Sequence, residues 1–202
     1  MDPKTQLQTM REGLKLVPED LDIDSLIPLF VPASFFTAGN WPGPYQCLRL
    51  QAIGLTWSVM LPNQTMRYVD DAVAQYWEGK RIDWKRLALH NLAKLSGETL
   101  GTHGFRRTSG EVYAIAMMQP DGIGPSRLLL QHQLATLFPR GYRVALPEMS
   151  CAFALAEGLD KNEMSQLQEL IEKCHQNGTR PLADGIYSPE DLSPQVADQA
   201  PR

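Results

Sequence analysis

The chain has 202 residues and a mass of 22.6 kDa, enough for one domain whose core needs neither disulfides nor a structural metal. Hydrophobic residues at 43% and charged residues at 21% exclude a largely disordered or coiled-coil chain. With 19 basic against 23 acidic side chains the net charge is −4, so the molecule as a whole has no attraction for phosphate backbones and nucleic acid is not an expected partner.

The first segment carries Leu7, Met10, Leu14 and Val17 at helical spacing behind Asp2 and Pro3, and the pattern predicts a helix ended by Pro18. No apolar run follows the first residues, so no secretory leader is expected. An acidic turn, Glu19 to Asp24, leads into an uncharged run from Ser25 to Leu48. Its length suits a membrane span, but Pro28, Pro32, Pro42 and Pro44 would break such a helix, and it reads as an ordered extended loop outside any membrane.

From Cys47 the alternation is that of strands, and it slips one place at Gly54, where a bulge is expected. Residues 55–69 read as a hairpin turning at Pro62-Asn63-Gln64. Asp70 caps a short helix stopped at Gly79, and Asp83 caps a second with Trp84, Leu87, Ala88, Leu92 and Leu95 on its buried side and Gly97 at its end. Residues 100–108 read as an edge strand joined through Ser109-Gly110 to Val112–Met118, which is apolar throughout and therefore central in its sheet. A loop from Gln119 to Gly124 is followed by a helix over about 125–138. Two β-like runs, 142–147 and 151–157, are joined tightly by Glu148-Met149-Ser150. Asp160 and Glu163 form a capping box for a helix with Met164, Leu167, Leu170, Ile171 and Cys174 on its apolar side, ended by Asn177-Gly178.

These elements predict an α+β domain over residues 1–187, with a mixed, largely antiparallel sheet and helices packed mainly on one face. Residues 188–202 read as a flexible tail. The three cysteines, Cys47, Cys151 and Cys174, form no CxxC pair and read as reduced, mostly buried thiols of a cytoplasmic protein.

Three stretches are similar to the YtpQ-like proteins, a bacterial family of unknown function, and the likeness spans about residues 55–188. They are Leu87-Ala88-Leu89-His90-Asn91-Leu92-Ala93, the strand, loop and helix from Tyr113 to Leu130 with Ser126-Arg127-Leu128, and Tyr142-Arg143-Val144-Ala145-Leu146-Pro147. The resemblance implies a cytoplasmic bacterial protein and supplies no reaction. The family's Arg-Asp pair after the proline is replaced here by Glu148-Met149-Ser150, which puts in doubt any polar role of that turn.

The candidate binding loop is Asp121-Gly122-Ile123-Gly124-Pro125-Ser126-Arg127. Gly122 and Gly124 let a backbone approach a ligand, a helix start offers unpaired N–H groups, and Ser126 and Arg127 add a hydroxyl and a guanidinium for an anion. The loop lacks the lysine of a phosphate-binding P-loop and the third glycine of a dinucleotide fingerprint, so the plain alternative is a strand-to-helix turn. His90, His103, His132 and His175 do not converge in sequence, the acidic clusters lack metal-ligand spacing, and no nucleophile signature is present, so no catalytic residue, metal or cofactor is expected. Arg106 and Arg107 fall on opposite faces of a strand. Trp77 and Trp84 belong to the core, whereas Trp41 is the tryptophan expected at the surface, beside Phe35 and Phe36.

The reading is therefore a non-catalytic protein that binds a protein partner, a second copy of itself or a small anionic ligand. The alternative is an enzyme that holds a small anionic substrate at the Gly122–Arg127 loop.

Overall fold

One strand organises the first half of the chain. In the computed structural model, which describes residues 21–37, 41–61, 65–97, 100, 103–119 and 121–195, β3 (Ile53–Met60) pairs antiparallel with β1 (Leu26–Pro32) along one edge, Leu26 opposite Val59 and Pro32 opposite Ile53. Along its other edge it pairs first with β2 (Tyr45–Cys47) and then with β4 (Met66–Tyr68). The expected helix through Leu7 and Val17 and the turn at Pro62-Asn63-Gln64 lie outside the described residues.

β1 corrects the sequence reading, because it lies inside the proline-rich run expected as a loop, followed by the short helix α1 (Ser34–Thr37). Prolines are tolerated because β1 pairs along one edge only and needs no N–H on the other. The expected bulge at Gly54 is also absent: β3 runs through it in unbroken register, Val31 facing Gly54. Residues 53–59 are all buried, so both faces of β3 are covered and alternation carries no information there. Glycine is required at 54 because a Cβ would lie 2.2 Å from Cε2 of Phe36.

The helices follow the expected caps. Asp70 accepts from the Val73 N–H (2.8 Å) at the start of α2 (Asp71–Gly79), and Asp83 from the Arg86 N–H (3.3 Å) at the start of α3 (Trp84–Ser96). Trp84 stands edge-on to Trp57, with centroids 5.1 Å apart, and 6.1 Å from Trp77, so these three tryptophans are core. Leu95, expected inward, is 48% exposed. The missed inward residue is Asn91, whose amide donates to the carbonyls of Ile23 and Leu26 and ties α3 to the start of β1.

The second sheet has the order β5 (His103–Arg106), β6 (Val112–Met117), β8 (Cys151–Ala156), β7 (Tyr142–Glu148), all antiparallel. β6 is internal, as its unbroken apolar character predicts. Ala114 and Ala116 join Phe153 and Leu155 under Leu167 and Ile171 of α5 (Lys161–Asn177), whereas Ile115 and Met117 face the core shared with β1, β3, α2 and α3. The fold is α+β as expected, but built on two antiparallel sheets, with α5 on one side of the second and the first sheet with its helices on the other. No described helix is long and apolar enough to cross a membrane.

The capping box of α5 is present, Asp160 accepting from the Asn162 and Glu163 N–H groups and Glu163 from that of Asp160. Glu163 also receives both arms of Arg107 (2.6 and 2.8 Å), whose third nitrogen bonds Glu111. The hydrogen bonds from Arg107 pull the Glu163 carboxyl from its usual 4.5 down to about 2. Between these values the unfolded chain binds the proton that the folded chain refuses, so stability falls as pH drops from about 4.5 to about 2. Stepped-pH urea titrations are expected to show this decline in the wild type and a flatter profile in Glu163→Gln, which keeps an acceptor for the cap.

After α5 the chain runs beside the open edge of β7: Leu182 donates to the Pro147 carbonyl, Ala183 to that of Leu146, and Tyr187 and Val144 exchange main-chain bonds. Within the segment expected to be a tail, the described residues 188–195 pack on the domain. Ser188 begins a 3₁₀ turn (Pro189–Leu192), Leu192 is buried, the Arg49 and Leu50 N–H groups donate to Ser193 and Asp191, and the Gln195 N–H donates to Cys47. Composition missed this because one leucine and main-chain bonds hold the segment.

Candidate functional site

The helix expected over 125–138 is two pieces. Pro125–Leu129 is a 3₁₀ turn, Leu130 breaks the path, and α4 (Gln131–Leu137) follows. Residues 123–128 are buried where α3, β1, β7 and β8 converge, so this turn plugs the centre of the molecule and its start is no solvent-facing helix end. Pro125 stands at its first position, as expected.

The candidate loop divides accordingly. Asp121, Gly122 and Ser126 line a groove of about 570 Å³, together with Tyr68 of β4, Glu148 and Ser150 of the β7–β8 turn, and Thr179 and Arg180 beyond α5. Gly124 and Arg127 do not line it. A Cβ on Gly124 would stand 2.2 Å from the Met117 carbonyl oxygen and 2.8 Å from that of Ser150, so the glycine serves a close crossing of main chains. Gly122 has φ +69°, the left-handed region that favours glycine.

Arg127 is 2% exposed and forks onto Asp121, with Nη1 to Oδ1 at 3.1 Å and Nη2 to Oδ2 at 2.5 Å. Its Nε is buried with no acceptor among the described residues. Asp121 Oδ1 also accepts from the Ile123 N–H at 3.2 Å. The guanidinium expected to meet a ligand therefore neutralises its own loop.

The opposite wall was not singled out from the sequence as part of a site. Glu148 is buried and satisfied: Oε2 accepts from the Ser150 N–H (2.6 Å) and hydroxyl, and Oε1 from the Arg180 N–H (3.3 Å). The Arg180 side chain is exposed and makes no ion pair or hydrogen bond among the described residues. It lies near Tyr68, whose phenol burial pushes up and Arg180 partly restores, so Tyr68 stays a neutral O–H donor over the ordinary pH range. Of the described charges lining the groove, Asp121 has a counter-ion, Glu148 has three donors, and Arg180 has no partner among the described residues.

Compared with family models, with curated proteins and with solved structures, the chain finds no match.

Other candidates fall elsewhere. None of the four histidines lines the groove, and no group of three or more His, Cys, Asp or Glu among the described residues is placed to hold a metal. Arg107 is occupied by Glu163 and Glu111, and Arg106 by the Gly110 carbonyl. Trp41 is half-buried against Phe36 (5.2 Å) and Tyr68 (4.9 Å). The exposed aromatics are Phe35 and Tyr45, the latter stacked on Phe36 at 4.4 Å. This patch abuts the groove through Tyr68. A larger hollow of about 740 Å³, lined by Asp22, Ile27, Val59, Asn91 and Leu95, contains none of the expected site residues. The cysteines also differ from expectation: Cys151 is buried, Cys174 half-buried and Cys47 exposed.

Proposed function

We propose that the protein is a non-catalytic binding protein whose groove takes a small anionic group through Arg180, with the hydroxyls of Tyr68, Ser126 and Thr179 as neutral donors. What supports the reading is the charge pattern: both carboxylates of the groove are already satisfied, and the remaining cation has no partner among the described residues. The enzymatic alternative draws less support, because Arg127 faces Asp121 and neither a histidine nor a thiol lines the groove beside a hydroxyl. Kinship with the YtpQ-like proteins, and with it a bacterial cytoplasmic setting, belongs to the same proposal. The three stretches that carry the likeness form α3, β6 with the central turn, and β7, and both α3 and β7 pack on that turn.

Inorganic phosphate and a small dicarboxylate, titrated calorimetrically, are the probes. Arg180→Ala is expected to weaken binding by about 1.5–3 kcal/mol, ten- to a hundredfold, the range of a charge-assisted hydrogen bond. Unchanged affinity in Arg180→Ala would remove the reading.

A further inference from the structure

Cys151 opens β8 and Cys174 lies in the last turn of α5, far apart in sequence, yet both pack in the small core between this helix and the second sheet. The two residues are neighbours in that core, and both line a shallow cleft of about 440 Å³ with Met118, Lys173 and Asn177. Two thiols on different elements, packed in one core and opening onto one cleft, are the arrangement from which a disulfide forms with little backbone movement.

We propose that Cys151 and Cys174 form a reversible disulfide, taking oxidising equivalents from a low-molecular-weight disulfide of the glutathione class. Cys174 is the more accessible and reacts first. Its thiolate attacks one sulfur of the small disulfide, giving a mixed disulfide on Cys174 and expelling one thiolate. That thiolate takes the Cys151 proton. The Cys151 thiolate then attacks Cys174 Sγ and breaks its bond to the small sulfur, forming the protein disulfide; the second small thiolate leaves and takes from water the proton that Cys174 gave up on ionising. Two protein thiols are oxidised, the small disulfide is reduced to two thiols, and two electrons pass between them. The order of attack follows the surroundings: burial and the neighbouring Cys174 hold the Cys151 thiol protonated, so it serves as the resolving group.

Full-length Cys47→Ser protein, which removes the exposed third thiol, is incubated with oxidised glutathione, acid-quenched, and read by thiol titration and intact mass. The two remaining thiols are expected to disappear with the loss of two hydrogens and no retained adduct. Trypsin, which cuts at Lys161 and Lys173, is expected to give one peptide pair joined through Cys151 and Cys174. In the Cys47→Ser background, Cys151→Ala is expected to stop at a glutathione adduct on Cys174, and Cys174→Ser to leave Cys151 free. Recovery of both cysteines as free thiols or as separate adducts in Cys47→Ser would overturn the proposal. Should Cys151→Ala fail to fold, the Cys47→Ser and Cys174→Ser proteins decide the matter alone.

Discussion

Asp121→Ala is expected to lower unfolding free energy by about 3–5 kcal/mol, the cost of leaving one partner of a buried ion pair alone. Arg127 is wrapped by the chain, the Asp121 side chain is 24% exposed, and the two share a bidentate contact. Without the carboxylate, the guanidinium keeps its charge inside the molecule and its Nε already lacks an acceptor. The Ile123 N–H loses its bond to Oδ1 in the same substitution. Removing both charges as Asp121→Ala with Arg127→Met is expected to cost less than the sum of the two single changes, because the methionine brings no charge into the interior. Urea midpoints of the four proteins make the cycle, and a loss below about 1 kcal/mol in Asp121→Ala would show that Arg127 reaches water instead.

Gly124→Ala is the second large effect, expected at about 3 kcal/mol or more, the upper part of the range for overpacking. Its backbone is right-handed helical, φ −46° and ψ −55°, so any residue could adopt it. The obstacle is room: the new methyl would meet the carbonyls of Met117 and Ser150, both main chain and unable to rotate aside. The clash lies where the end of β6 crosses the β7–β8 turn, so relief requires separating those two segments. Gly122→Ala, two residues earlier, meets nothing closer than Cε of Met66 at 4.0 Å and carries only the left-handed cost of about 1–2 kcal/mol. Thermal denaturation of the two proteins side by side is expected to place Gly124→Ala well below Gly122→Ala; the reverse order would mean that conformation rather than space governs the turn.

Local chemistry was legible. Asp70, Asp83 and the Asp160–Glu163 box announce helices because a cap acts within three residues, and Val112–Met117 announces an internal strand because it has no polar side. What sequence could not supply was the partner. β1 hides behind Pro28 and Pro32 because the property that admits them, a single pairing edge, belongs to the sheet. In the candidate loop, residue types alone aim Arg127 at a ligand, whereas the fold turns it onto Asp121. Their six-residue separation fits no regular spacing, and only the 3₁₀ turn folds one onto the other. Arg180, Tyr68 and Glu148 come from distant parts of the chain and carry no shared signature, and the same holds for Cys151 and Cys174.

The stretch from Pro181 to Gln195 has a bearing on how copies of this molecule behave in a crowd. It covers the outer edge of β7 and bonds the chain at β2, while the prolines of β1 spoil that strand's own free side. Unpaired strand borders are where one chain templates another into aggregates. Protection against edge-to-edge pairing thus rests in part on a stretch whose last eight residues have the composition of an idle tail.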